Sequence, residues 1–356
     1  MRVAPNWFTA AMGTGILANA AMLLPLDAPG LRAFALATWL VAVLLLARLA
    51  GAALEQWRRD RRAGRPAAPR ELASAPFWGA PPMAIMTIAT GTLLIGRDVL
   101  GEQLALSLAL TLWGVGTLGG LAAAIAVPRW LLSHPQRRLD TVFATWLLPV
   151  VPPLVSATTG AALAAHAPAG TARLVLLLTC CVLFGVSVLA STAMAVLILR
   201  RLAAHGPGPA RMVPTLFIAL GPLGQSVTAA CLLAAAAPGA LPASLARSGA
   251  TLALVFGLPV FALAMAWLAL AATATLRTAA GPGLPFAATW WSFIFPIGTC
   301  VTGCSELASR TGAAPLTWIA AALFALLLGA WLTVASATAR HAVGRHISRR
   351  AAVAAA

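Results

Sequence analysis

Long apolar segments separated by short polar breaks recur along this 356-residue chain. A helix that crosses a bilayer needs about 20 mainly apolar residues, so the pattern predicts a series of membrane-spanning helices. We place ten of them, at 6–25, 31–53, 76–96, 103–127, 141–164, 171–199, 212–236, 249–272, 289–308 and 316–338. The sequence therefore predicts an all-α polytopic membrane protein, with a single ten-helix transmembrane domain over 1–340 and a short basic tail over 341–356.

Composition supports this class and excludes several others. Hydrophobic residues make up 61% of the chain and charged residues 9%, with a mean hydropathy of +0.91. Soluble domains carry about 25% charged residues, so a soluble enzyme, a disordered protein and a secreted disulfide-rich domain are excluded. The spans contain no nucleophile with a base, no carboxylate pair and no metal-binding cluster. We therefore predict a protein that is not an enzyme and that has no cofactor and no metal.

The positive charge predicts topology rather than a nucleic-acid partner. All 24 basic residues are arginines, and the formal net charge is +16. Eighteen lie at the N-terminus or after even-numbered segments, whereas five lie in the opposite loops. Positive charge collects in short cytoplasmic loops, so both termini are predicted to lie in the cytoplasm. The protein itself is predicted to lie in the cell (inner) membrane. Insertion alone accounts for this charge, and no nucleic-acid-binding module accompanies it.

The odd-numbered segments share an internal repeat. Each begins with an aromatic residue, passes through proline or glycine near its middle, and continues with small and hydroxyl residues. Pro82, Pro153, Pro222 and Pro296 follow one another at intervals of 71, 69 and 74 residues. We expect five helical hairpins, with the odd helices in an inner ring around a central pore and the leucine-rich even helices outside. The alternative is that prolines and small residues serve ordinary packing in membrane helices.

The repeat indicates candidate pore residues. The breaks that we expect to line the pore are at Gly13, Pro82, Pro153, Pro222 and Pro296. Polar side chains nearby are possible contacts for a permeant ion: Thr14, Thr87, Ser156, Gln225, Ser226 and Thr299. All acidic residues except Glu306 lie in loops or at helix ends, and an ionisable group at mid-membrane usually marks a pump or carrier. Neutral dipoles form a weak site, which favours a channel or uniporter.

Three stretches resemble a known family. PNWFTAAMGTGI at 5–16, the prolines followed by SATTG at 156–160, and AATWWSFIFPIGT at 287–299 are similar to the tellurite-resistance/dicarboxylate transporter (TDT) family. That family includes TehA-like bacterial anion channels, plant slow-type anion channels, fungal malate permeases and sulfite exporters. The resemblance implies the same ten-helix fold, a homotrimer with one pore per subunit, and a phenylalanine gate. The family pattern W-x-(F/Y)-x-F falls on Trp291, Phe293 and Phe295, so Phe295 is the expected gate.

These observations predict a membrane channel or transporter for small anions, namely monovalent anions, sulfite or C4-dicarboxylates such as malate. A proton-coupled C4-dicarboxylate or sulfite carrier of the same fold remains the alternative within transport. A membrane scaffold or sensor is the alternative outside it. The first helix departs from some family members, which have proline where this chain has Ala11.

Overall fold

The computed structural model describes residues 4–64, 74–135 and 138–354, with side chains up to His341. Within these ranges it is helical and contains no strand. The ten main helices are α1 (Phe8–Leu23), α2 (Leu31–Arg62), α3 (Ala80–Gly91), α4 (Glu102–Ser133), α5 (Pro152–Ala164), α6 (Thr171–His205), α7 (Leu220–Ala236), α8 (Ala243–Ala280), α9 (Ile294–Thr311) and α10 (Ala314–Ala354). A π-helical turn (Thr92–Gly96) and a short helix (Arg97–Leu100) extend α3.

The odd-numbered helices contact one another in a closed ring. Helix α1 packs on α3, α3 on α5, α5 on α7, α7 on α9, and α9 returns to α1. Each even-numbered helix packs mainly on the odd helix that precedes it and also contacts the next odd helix around the ring. The described chain is therefore built in two layers, an inner ring of five helices and an outer set of five.

Burial separates the two layers. In α2, α4, α6, α8 and α10, only 22–28% of the most apolar window is buried, whereas the α3 and α7 segments are 61% and 72% buried. Leu118 and Leu189 of the outer layer are more than 70% exposed. Apolar surface on this scale requires a lipid environment. Among the described residues, seven helical segments are long and apolar enough to cross a membrane. The other three main helices, α1, α5 and α9, belong to the inner ring and are shorter or more polar.

A 3₁₀ segment precedes every inner helix, directly in four of them and separated by residues 148–151 in α5. These segments are Pro5–Trp7, Ala75–Gly79, Ala144–Leu147, Ala210–Ala219 and Ala288–Phe293. Pro82, Pro153, Pro222 and Pro296 lie within the first three residues of the α-helix that follows. We expected prolines near the middle of continuous helices. At the start of an α-helix, proline removes an N–H that has no partner within the helix, so the repeat marks the change from 3₁₀ to α geometry.

The outer helices are longer than the hydrophobic pattern predicts. Helix α2 continues to Arg62 instead of position 53, and α6 continues to His205 instead of position 199. The backbone of α10 remains helical through the predicted tail to Ala354. Arginine is a good helix former, so these helices continue past their apolar part. Some arginines used for the topology prediction lie outside the described residues or have undescribed side chains: Arg2, Arg65, Arg70, Arg137, Arg345, Arg349 and Arg350.

Two arginines that depart from the predicted charge asymmetry hold loops together. Arg32 donates from Nε and a terminal nitrogen to the two carboxylate oxygens of Asp98, at 2.8 and 2.6 Å, and so links the start of α2 to the extension of α3. Arg173 donates to the carbonyl oxygens of Ala167 and Pro238, and so joins the α5–α6 and α7–α8 connections. These interactions give both arginines a structural role at the C-terminal ends of the inner helices.

Candidate functional site

A cavity of about 60 Å³ lies inside the inner ring. All five inner helices contribute to its lining, and an outer helix returns the chain between each inner helix and the next, so the five inner helices run in the same direction around it. The volume is enough for a few water molecules. A cavity at the common axis of five parallel helices is where a route through the ring has to pass.

Hydrogen bonds made by polar side chains join the helices around this cavity, beginning with α1, α3 and α5. Asn19 Nδ2 donates to the carbonyl oxygen of Thr87 at 3.0 Å, which links α1 to α3. The hydroxyl oxygens of Thr90 and Thr159 lie 2.9 Å apart and link α3 to α5. All four residues line the cavity.

Two further hydrogen bonds continue the series to α9. Gln225 Nε2 donates to Thr158 Oγ1 at 2.7 Å, which links α7 to α5. The hydroxyl oxygens of Thr228 and Thr302 lie 2.8 Å apart and link α7 to α9. These four residues also line the cavity. We call the eight residues the polar belt: Asn19, Thr87, Thr90, Thr158, Thr159, Gln225, Thr228 and Thr302.

The polar belt is electrically neutral. No ionisable side chain is present among the described residues that line the cavity. Its threonine hydroxyls also donate to carbonyl oxygens of their own helices, as Thr87 does to Met83 and Thr158 does to Leu154. An ion in this cavity would meet only hydroxyl, amide and backbone dipoles, which bind weakly enough to permit exit.

Apolar side chains fill the ring on the N-terminal side of the polar belt. Phe295, the second residue of α9, lines the cavity and is only 3% exposed. It belongs to a buried cluster with Phe8, Met12, Met83 and Val155, which come from α1, α3 and α5. This cluster extends from the cavity into the 3₁₀ segments, where Phe77 and Trp146 belong to it.

Of the six polar contacts expected from the sequence, Thr87 and Gln225 line the cavity. The structure places the other four side chains on different faces of their helices. Thr14 accepts a hydrogen bond from Trp331 Nε1 of α10, and Ser156 pairs with Thr117 of α4 at 2.6 Å. Ser226 lies in a groove between α6 and α8, and Thr299 donates to the carbonyl oxygen of Pro296 at 2.7 Å.

The five expected backbone breaks lie around the cavity rather than on its surface. In the described part of the chain, the lining of the cavity includes none of Gly13, Pro82, Pro153, Pro222 and Pro296. A Cβ atom at Gly13 would lie 3.1 Å from Ile294 of α9, and Pro222 faces the groove between α6 and α8. These positions serve the packing of the ring and the start of its α-helices.

Sequence reasoning missed six residues of the polar belt: Asn19, Thr90, Thr158, Thr159, Thr228 and Thr302. A usable signal was present, because the hydrogen-bonded partners are 67 to 74 residues apart, close to the interval of the proline repeat. Threonines five to eight residues beyond each proline include five of these six residues.

Glu306 lies away from the cavity. It lines an open groove of about 750 Å³ near the C-terminal end of α9, together with Arg247 and Arg310. Arg310 Nε lies 4.0 Å from Glu306 Oε2, and Arg310 also donates to the carbonyl oxygen of Cys231. Glu306 therefore faces a cation one helical turn away rather than the central cavity.

Comparison with known proteins identifies similar transporters. The chain is 28% identical over 313 residues to the sulfite efflux pump SSU1 of Arthroderma benhamiae, covering 85% of this chain and 81% of that protein. It is 25% identical over 297 residues to an uncharacterized transporter of Methanocaldococcus jannaschii, covering 83% and 81%. A second uncharacterized transporter of that organism is 23% identical and covers 92% of this chain.

A family model for voltage-dependent anion channels, SLAC1, matches residues 2–339 and so includes all five inner helices. The family fits the neutral cavity and the lipid-facing outer layer described above, and it agrees with the resemblance found in the sequence. The chain belongs to the SLAC1 family of voltage-dependent anion channels.

Proposed function

We propose that the protein conducts small anions along the axis of the inner ring, through the polar belt and past a gate formed by Phe295. The observation that carries the proposal is the neutral cavity to which all five inner helices contribute, bounded on one side by an apolar cluster that includes Phe295. A hydrophobic constriction excludes ions by dewetting. Movement of the Phe295 side chain would therefore open the route.

The proposed arrangement in the membrane has ten spans as five hairpins, with both termini in the cytoplasm. Seven segments meet the length and apolarity of a span. The three remaining inner helices are surrounded by protein, so they need less apolar surface and gain length from their 3₁₀ segments, which rise about 2.0 Å per residue. We also propose that the protein forms a homotrimer with one pore per subunit, as the family resemblance implies.

The substrates that we propose are monovalent anions and sulfite, with malate and other C4-dicarboxylates as larger candidates. The relatives named as sulfite efflux pumps support sulfite. The alternative, a proton-coupled carrier, normally needs a titratable group in the pathway. The described lining of the cavity has none, which favours conduction without proton coupling.

Ion flux through the purified protein tests this function. We expect liposomes containing the protein to pass chloride, nitrate and sulfite, with reversal potentials that follow the anion gradient. Arginines at the cytoplasmic ends should concentrate anions within about 8–10 Å of that mouth. A proton gradient should not drive accumulation. Reversal potentials that follow the cation gradient would contradict anion selectivity, and the absence of flux for every anion would favour a scaffold or sensor.

Reporter fusions test the topology. Because arginine is concentrated beside even-numbered connections and the termini, a reporter that is active only in the cytoplasm should be active when fused to the C-terminus. The same reporter placed in the loop between α1 and α2 should be inactive and serves as the matched control. A C-terminal fusion that is active only on the far side of the membrane would contradict the topology.

A further inference from the structure

We infer that the polar belt is a binding site for a small, partly dehydrated oxyanion, in which the side-chain amides of Asn19 and Gln225 donate to the ligand. The inference rests on the proposed function and adds a binding site to it. Its evidence is the number of N–H and O–H groups that face the cavity, compared with the number of protein acceptors that they contact.

The two amides have donor capacity to spare. A primary amide nitrogen carries two hydrogens. In the described structure, Asn19 Nδ2 makes one hydrogen bond, to Thr87, and Gln225 Nε2 makes one, to Thr158. Both residues line the cavity and are at most 5% exposed. Buried polar groups are normally paired, so the incomplete pairing indicates that a ligand or water belongs here.

The threonines add donors that can change direction. Thr228 Oγ1 lies 3.1 Å from the carbonyl oxygen of Gly224 and 2.8 Å from Thr302 Oγ1. Thr302 Oγ1 also lies 3.1 Å from the carbonyl oxygen of Thr299. Two hydroxyl hydrogens serve these three contacts, because each hydroxyl carries one. Either hydroxyl can therefore rotate towards an anion while its oxygen keeps one of the remaining contacts.

The order of helices in the ring places the amides beside the gate. Helices α1 and α7 are the two neighbours of α9, which carries Phe295. Asn19 and Gln225 therefore approach the cavity from both sides of the helix that closes it. Donors that converge from different helices suit a ligand with several acceptor oxygens, such as nitrate or sulfite, better than a spherical chloride ion. The volume of about 60 Å³ suits a small oxyanion better than a C4-dicarboxylate.

Permeability ratios in liposomes test the site. Gln225→Met removes the amide without adding charge, and we expect the permeability ratio of nitrate to chloride to fall by roughly ten-fold, the loss expected for one hydrogen bond to a charged group. Gln225→Glu replaces donors by a carboxylate and should reduce the flux of every anion by more than ten-fold. The matched control is Ser226→Ala, because the next side chain faces the groove between α6 and α8; its ratio should equal that of the wild type.

A second position protects the test against misfolding at Gln225. Thr302→Val keeps the shape of the side chain and removes one hydroxyl, and it should lower the same ratio by about three-fold. Nitrate should raise the melting temperature of the purified wild type more than that of Gln225→Met. Wild-type ratios in both Gln225→Met and Thr302→Val would overturn the binding site while leaving the proposed function intact. A wild type without anion flux would overturn both.

Discussion

Replacement of Phe295 with alanine should increase anion flux by at least ten-fold, because it removes the largest apolar side chain that borders the cavity and so shortens the hydrophobic constriction of the proposed route. One face of the Phe295 phenyl ring borders the cavity and not other side chains, so the substitution removes few contacts. The cost in stability should be below the roughly 3–5 kcal/mol typical of a fully packed phenylalanine. Flux and melting temperature should be measured on the same preparation.

Phe261→Ala is the matched control for the proposed gate. Phe261 lies on α8 and is 5% exposed, against 3% for Phe295. It belongs to a different buried cluster, which includes Leu307 and Val227, and it does not line the cavity. We expect this variant to lose stability while its flux stays at the wild-type level. Unchanged flux together with a large loss of stability in Phe295→Ala would show that Phe295 is an ordinary core residue.

Replacement of Gly224 with alanine should strongly reduce the yield of folded protein. A Cβ atom at this position would lie 2.5 Å from the carbonyl carbon of Thr299 and 2.6 Å from the backbone nitrogen of Cys300. These are backbone atoms of α9, so no side-chain rotation relieves the overlap, and α7 and α9 would have to separate. Overpacking costs typically 1–3 kcal/mol, and more where the backbone must move.

Gly221→Ala provides the comparison on the same helix. A Cβ atom there would have no neighbouring atom within 4 Å, and alanine is the better helix former by about 1 kcal/mol. Size-exclusion profiles and melting temperatures in detergent should therefore match or exceed those of the wild type for Gly221→Ala and fall sharply for Gly224→Ala. Equal behaviour of the two variants would exclude a rigid contact between α7 and α9 at this level.

The sequence was sufficient to predict a helical membrane protein and the division of its helices into an odd-numbered inner ring and an even-numbered outer layer. The five segments that share the repeat are the ones that contact one another in the ring. Phe295 could be nominated because the motif around Trp291 and Phe293 fixes its register with respect to the family. The even segments could be assigned to lipid because they are richer in leucine than the odd segments.

The repeat indicates the level of each inner helix at which the polar belt lies, but it does not give the direction of each side chain at that level. A 3₁₀ segment has 3.0 residues per turn and an α-helix 3.6, so the rotational phase of each inner helix depends on where one changes into the other. These segments vary from three residues at Pro5–Trp7 to ten at Ala210–Ala219. The repeat therefore does not show which of two adjacent residues faces the cavity. Gln225 lines the cavity, whereas Ser226 faces the groove between α6 and α8.

The contact between α1 and α9 closes the ring of inner helices, so the ring cannot close during synthesis until α9 has been made. Gly13 packs against Ile294, about 280 residues later, and Trp331 donates to Thr14 across 317 residues. At translation rates of about 5–20 residues per second, α1 is made roughly 15–55 s before α9. During that interval its small and hydroxyl residues have no partner on one side. The early hairpins must therefore persist in the bilayer as an open arc, and a ribosome that stalls before α9 leaves a product whose unpartnered helices expose it to membrane quality control.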